Sequence, residues 1–336
     1  MSKKEVHFMT NNYQSVYGSH IQQFISMKRK FGFGYIEGAT FLSKIDMLAV
    51  KWGETSLGIT KEFSEKWTKK RLHESVGYQR KRISHLMQFS SHLCSLGISS
   101  YIPKLPPVPS STFIPYIYSQ KEIHALFEAS DQLRAKHLLM KSCLICFPVL
   151  LRLLYGTGIR ISEALSLKDE NINLNENCLR IKDCKNGKER IIPISSSLAN
   201  VCSQYLSYRN TIPFGKVKSN YFLVKLDGGS FQKQAAGKLF KKCLSKAGIP
   251  YIGRMHGPRI HDLRHTFAVT SLASMAEAGI DLYVSLPILS NYLGHQSLEA
   301  TNNYVRLTAN MYPDLIKDVD TICLDVFPKN KYYEAD

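Results

Sequence analysis

A chain of 336 residues with 44% apolar side chains has material for two cores, which excludes wholesale disorder. Its formal net charge of +17, from 44 Lys and Arg against 27 Asp and Glu, makes a polyanion the expected partner, with nucleic acid first. Residues 1–115 hold 16 basic and 7 acidic side chains (+9) and the remainder 28 and 20 (+8), so the charge is not a basic tail on a neutral enzyme.

The chain opens Met1-Ser2-Lys3-Lys4-Glu5 with no long apolar run behind it, so no secretory leader is expected. No stretch approaches the ~18 apolar residues of a membrane span, and a cytoplasmic location is expected. Residues 1–102 read as a small helical bundle. Apolar residues recur at helical spacing over Ser19–Phe31 and Thr40–Trp52, and Thr60 stands as an N-cap before Phe63 and Trp67. A last helix over Ser75–Leu96 is stopped by Gly97. On its polar face, Arg80, Lys81 and Arg82 are candidate DNA-phosphate contacts. A solvated charge run is the equally weighted alternative.

Residues 103–118 read as a linker, because Pro103 to Pro109 places four prolines in seven residues and no helix survives that. A second domain, 119–336, opens with the capping-box pattern Ser119-Gln120-Lys121-Glu122. A long apolar helix is expected over roughly 142–157, broken by Gly156 and Gly158. Apolar–polar alternation over 178–182 and 190–194, around the Asn186-Gly187 turn signal, predicts a β-hairpin. Helices are expected over 196–209, 230–247, 261–278, 283–293 and 298–305. An apolar stripe of Leu315, Val319, Ile322 and Leu324 marks a tail that either folds back on its own domain or, as the resemblance drawn below implies, packs on a neighbouring subunit. The fold class is therefore mainly α with a small antiparallel sheet. Eight scattered cysteines are expected as thiols. Cys143 and Cys146 form a C-x-x-C with no second pair, which reads as two small apolar residues rather than a zinc site.

Four stretches of the second domain carry chemistry. Gly156-Thr157-Gly158-Ile159-Arg160 leads into Ile161-Ser162-Glu163, and Arg160 is either an anion contact or a partner of Glu163. The hairpin tip carries Lys185 and Lys188, with Arg190 following. His261-Asp262-Leu263-Arg264-His265 places His261 and Arg264 three apart, on one helical face. Leu293-Gly294-His295-Gln296-Ser297 is followed by Tyr304, nine residues past His295. Each piece alone is weak, and Tyr304 is one of 18 tyrosines.

Jointly these segments resemble the tyrosine recombinase/integrase family, whose active site runs Arg, Lys, His-x-x-Arg, His or Trp, Tyr in that order. The matching positions are Arg160, Lys185, His261, Arg264, His295 and Tyr304, within about residues 119–310. The resemblance implies an N-terminal core-binding bundle, double-stranded DNA as partner, and a homotetramer on two DNA sites, with room for an accessory recombinase or DNA-bending protein. It also implies site-specific strand cleavage and rejoining through a 3′-phosphotyrosyl link to Tyr304, with no cofactor and no metal. Two guanidinium forks, Arg160 and Arg264, suit the non-bridging oxygens of a phosphodiester, and His295 adds a donor. His261 is the expected base and Lys185 the expected proton donor to the departing 5′ oxygen. A metal-dependent nuclease would instead need several carboxylates. A mobile-element integrase or transposase is the favoured role. The alternatives are Xer-like chromosome dimer resolution, a type IB topoisomerase-like activity and a non-catalytic DNA-binding protein. The stretch 279–292 is longer than in compact recombinases.

Overall fold

The computed structural model describes residues 13–108, 114–134, 140–182, 189–212, 220–253 and 257–295, together with Thr301, Tyr304 and Val305. The hairpin tip with Lys185, residues 296–300 and the tail stripe lie outside the described residues. The chain divides into two compact units, Met1–Thr112 and Phe113–Asp336.

The first unit is a bundle of α1 (Gly18–Lys30), α2 (Ile36–Trp52), α3 (Lys61–Thr68) and α4 (Val76–Ser95). α4 packs against the other three. Thr60 caps α3 by accepting from Phe63 N at 3.0 Å, and Ser75 caps α4 by accepting from Tyr78 N at 3.2 Å. Ile21, Phe24, Leu42, Ile45, Phe63, Leu86 and Phe89 form its core. α2 begins four residues before the expected Thr40, after Tyr35, which takes a left-handed conformation at φ 47°.

Arg82 is not on the polar face of α4. It is fully buried beneath Trp67, and Glu74 accepts from its Nε at 2.9 Å and its Nη2 at 2.8 Å. Successive helical residues point about 100° apart, so three in a row cannot share one face. Arg80 is half-buried, and Lys81 is exposed in a pair with Glu37 at 2.8 Å.

The second unit is mostly helical around a three-stranded antiparallel sheet in the order β1 (Ile172–Asn173), β2 (Cys178–Ile181), β3 (Arg190–Pro193). β2 and β3 form the expected hairpin, with Leu179 opposite Ile192 and both facing the core. Its helices are α5 (Gln120–Asp131), α6 (Phe147–Thr157), α7 (Ile161–Ser166), α8 (Ser196–Thr211), α9 (Lys233–Lys246), α10 (Asp262–Glu277) and α11 (Leu282–Leu293). Ser119 and Glu122 close the capping box on α5. α6 starts five residues later than the expected 142, because Pro148 fits only the first turn of a helix. Cys143 and Cys146 lie before and at that start, both buried as thiols. α10 lies against α6 and α11, and Tyr304 joins Val269, Leu272, Leu289 and Leu293 in a small core of their own. Among the described residues no helix is long and apolar enough to cross a membrane.

Candidate active site

Two left-handed glycines position the site. Gly158 (φ 59°) ends α6 and turns the chain into Arg160, the N-cap of α7. A Cβ at Gly158 would stand 2.4 Å from Phe267, so the residue must be glycine both for its dihedral and for its space. Gly294 (φ 66°) ends α11 and delivers His295.

Three arginines converge on the last turn of α11. Arg190 Nε donates to Tyr292 O at 2.9 Å, Arg264 Nη2 to Leu293 O at 2.9 Å, and Arg160 Nη2 to Gly294 O at 3.0 Å. Carbonyls at a helix C-terminus carry partial negative charge, so guanidinium groups are favoured there. Arg264 also donates to Gly158 O at 2.7 Å and is buried. Burial, followed by the neighbouring Arg160, brings its pKa down to about 10, so it stays cationic at neutral pH.

Glu163 ties two of these arginines together. It accepts from Arg160 Nη1 at 3.0 Å and from Arg190 Nη2 at 2.8 Å, and its Oε2 also takes the Arg160 backbone N–H at 2.9 Å. Burial opposes its charge. The hydrogen bonds from Arg190 and Arg160 outweigh burial and hold the carboxyl below its ordinary range. Of the two readings of Arg160, the structure shows the pairing with Glu163, while another of its nitrogens reaches the Gly294 carbonyl.

The first turn of α10 supplies the next group. Asp262 is buried and accepts from the Arg259 backbone N–H at 2.8 Å and from Arg259 Nη2 at 2.9 Å. Thr266 is buried and accepts from Tyr118 N at 3.0 Å. Leu263 packs into the main core, while Phe267 stacks on Tyr292 with ring centroids 5.5 Å apart. His261 remains exposed at the helix start, its ring edge-on to His265 at 4.9 Å.

Tyr304 closes the site from a helical segment and is only 4% exposed. Its ring lies 6.0 Å from His295 at 17° and 5.6 Å from His265. Its hydroxyl lies 3.1 Å from His265 Nδ1. Burial raises its pKa, and Arg264 and Arg160 pull against that rise. His295 Nδ1 is 2.7 Å from Thr301 Oγ1. Burial first, and then Arg264 and Arg160, hold His295 down to about 4, so it is neutral at pH 7.

Of the six predicted positions the structure therefore gathers Arg160, Arg264, His295 and Tyr304. His261 stands one ring away, and Lys185 lies outside the described residues. Sequence reasoning passed over Glu163, Arg190 and His265 as site members. The signals were present: Glu163 is three residues after Arg160, and His265 is four after His261 on the same helical face. Such an assembly of cations, neutral imidazoles and a hydroxyl can bind one phosphodiester and present it with a nucleophile.

The model of the phage integrase family matches residues 117–311, more than half of the chain. A y4rB protein of Sinorhizobium fredii, described as a candidate integrase/recombinase, is 28% identical over 306 residues, covering 90% of this chain and 96% of its own. The tyrosine recombinase XerA of Pyrococcus horikoshii is 29% identical over 252 residues, 73% of this chain and 76% of its own. Among solved structures, the Tn1549 transposon integrase in complex with transposon right-end DNA shares the fold with a TM-score of 0.60 at 14% identity, over 87% of this chain and 94% of that one. The XerH recombinase on its difH substrate shares it with a TM-score of 0.59 at 19% identity, over 90% and 84%. The chain belongs to the phage integrase family and is a tyrosine-type site-specific recombinase, an enzyme that breaks and rejoins DNA strands.

Proposed function

We propose that Tyr304 attacks a DNA backbone phosphate and forms a 3′-phosphotyrosyl link, from which the strand is later resealed. The observation that carries this reading is the Tyr304 ring stacked 6.0 Å from His295, at the α11 end where Arg160 and Arg264 meet. Arg160 and Arg264 then hold the non-bridging oxygens as charge develops on them, and His295 donates a further hydrogen bond. Lys185 protonates the departing 5′ oxygen. His261, at the exposed edge of the site, completes the set. Each guanidinium has five donors, so contacts to α11 carbonyls leave others for phosphate.

The partner is double-stranded DNA, bound as a homotetramer on two sites, with Arg80 and Lys81 contacting phosphates from the N-terminal unit. The biological role is integration or excision of a mobile element. The similarity to y4rB, which runs through nine-tenths of this chain, supports it. Chromosome dimer resolution is the second reading, favoured by the similarity to XerA.

A nicked suicide substrate tests the chemistry. Wild-type protein should form a covalent protein–DNA adduct in EDTA, and Tyr304→Phe should form none. An adduct on Tyr304→Phe, or cleavage that needs magnesium, would overturn the reading. Exchange between two marked duplexes, against relaxation of a single circle, separates a recombinase from a topoisomerase-like enzyme.

A further inference from the structure

We propose that His265, rather than His261, takes the proton from Tyr304 during strand cleavage. The proposal rests on Tyr304 being the nucleophile and adds the group that activates it.

The surroundings of the hydroxyl set the direction. The nearby cations Arg264 and Arg160 favour loss of the hydroxyl proton, but a guanidinium only donates and cannot receive it. His265 Nδ1, at 3.1 Å, is a ring nitrogen able to accept it. The acceptor must be neutral beforehand. Burial first, and then the nearby Arg259, Arg264 and His295, hold His265 down to about 4. Behind the ring stands a fixed carboxylate, since Asp262 Oδ1 is 4.0 Å from His265 Nε2. That distance exceeds a hydrogen bond, but the side chains are only 16% and 1% exposed, so the charge acts through little water. Asp262 is itself held by Arg259. With Nε2–H towards Asp262, Nδ1 carries the free lone pair that faces Tyr304. The order hydroxyl, imidazole, carboxylate is that of an activated nucleophile with an oriented base.

The step balances. The Tyr304 O–H bond breaks, its proton goes to His265 Nδ1, and the electron pair left on oxygen forms the O–P bond. The P–O5′ bond breaks, and the leaving oxygen takes a proton from the acid, assigned above to Lys185. Resealing reverses both transfers, with His265 returning its proton to the tyrosine. The incoming phosphate adds negative charge beside the ring and stabilises the imidazolium that forms.

The test compares His265→Ala and His265→Asn in single-turnover cleavage of the suicide substrate, with DNA binding measured alongside as the check on folding. Asn places an amide near the position of Nδ1, so it keeps a hydrogen bond to the hydroxyl but cannot accept its proton. Both variants should bind DNA normally and cleave about 100-fold or more slowly. The loss should persist on a 5′-phosphorothiolate, whose sulfur leaves without a proton. If Asn cleaves within about threefold of wild type, or if the thiolate substrate restores the rate, His265 is not the base. Should Ala weaken DNA binding, Asn decides. Tyr304→Phe run in parallel keeps the two ideas apart. An adduct on that variant removes the nucleophile assignment. No adduct there, together with full activity in Asn, removes only the role of His265.

Discussion

Arg190 Nη2 lies 2.8 Å from Glu163 Oε2, which fastens the start of the second hairpin strand to the turn that presents Arg160. The Glu163 side chain is 6% exposed, and its two arginine partners 29% and 12%. Such a carboxylate cannot be removed without leaving two cations facing each other with little water.

Glu163→Gln should therefore destabilise the protein by on the order of 3 kcal/mol, seen as a lower urea midpoint at unchanged slope. It should also slow cleavage with little effect on DNA binding, since Arg160 and the hairpin lose their common anchor. Wild-type stability in this variant would mean that the pair of bridges contributes nothing net.

Residues 80–82 divide by burial. Arg82→Ala should unfold or loosen the N-terminal bundle, because Glu74 is left buried without its partner. Arg80→Ala and Lys81→Ala should leave the thermal midpoint nearly unchanged and weaken binding to any duplex. Each should lower the slope of log affinity against log salt by about 1. Equal thermal effects from all three would contradict the burial of Arg82.

Gly158→Ala combines a strained φ with a clash on Phe267. It should cost more than about 1 kcal/mol and displace the carbonyl that holds Arg264 Nη1. Cleavage should fall more steeply than stability, which single-turnover rates and denaturant titration on one preparation would show.

His265 and His295 are both held near 4 in the fold, against an ordinary value of 6.5. Between these values the unfolded chain binds more protons than the native one, so stability falls as pH drops from 6.5 towards 4. The contribution is present in full above 6.5. His295→Gln and His265→Gln should each flatten the fall of the thermal midpoint across that window. A bound duplex should flatten that fall, since phosphate favours the imidazolium and brings the folded pKa back towards its unfolded value.

Helix periodicity and capping were legible because they are local. Thr60, Ser75 and Ser119 cap the helices they precede, and Gly97, Gly279 and Gly294 take the left-handed dihedrals that end them. A continuous apolar run does not say where a helix begins, and in α6 Pro148 sets the start. The order Arg160, Lys185, His261, Arg264, His295, Tyr304 was readable because each residue type has few reasons to recur in that company. What could not be read was pairing across distance. Arg190 meets Tyr292 over 102 residues and Arg264 meets Gly158 over 106. No local pattern encodes that Arg82 turns inward while Lys81 stays exposed.

The carbonyls of Tyr292, Leu293 and Gly294 give three distant arginines one shared footing. Shifting that footing moves all three together, so substitutions there should behave as if several phosphate-binding groups had been altered at once. Removing any one arginine should likewise disturb the others, and double variants should lose less than the product of the single losses. A change on the buried side of α11 should then register first as an altered grip on the scissile phosphate.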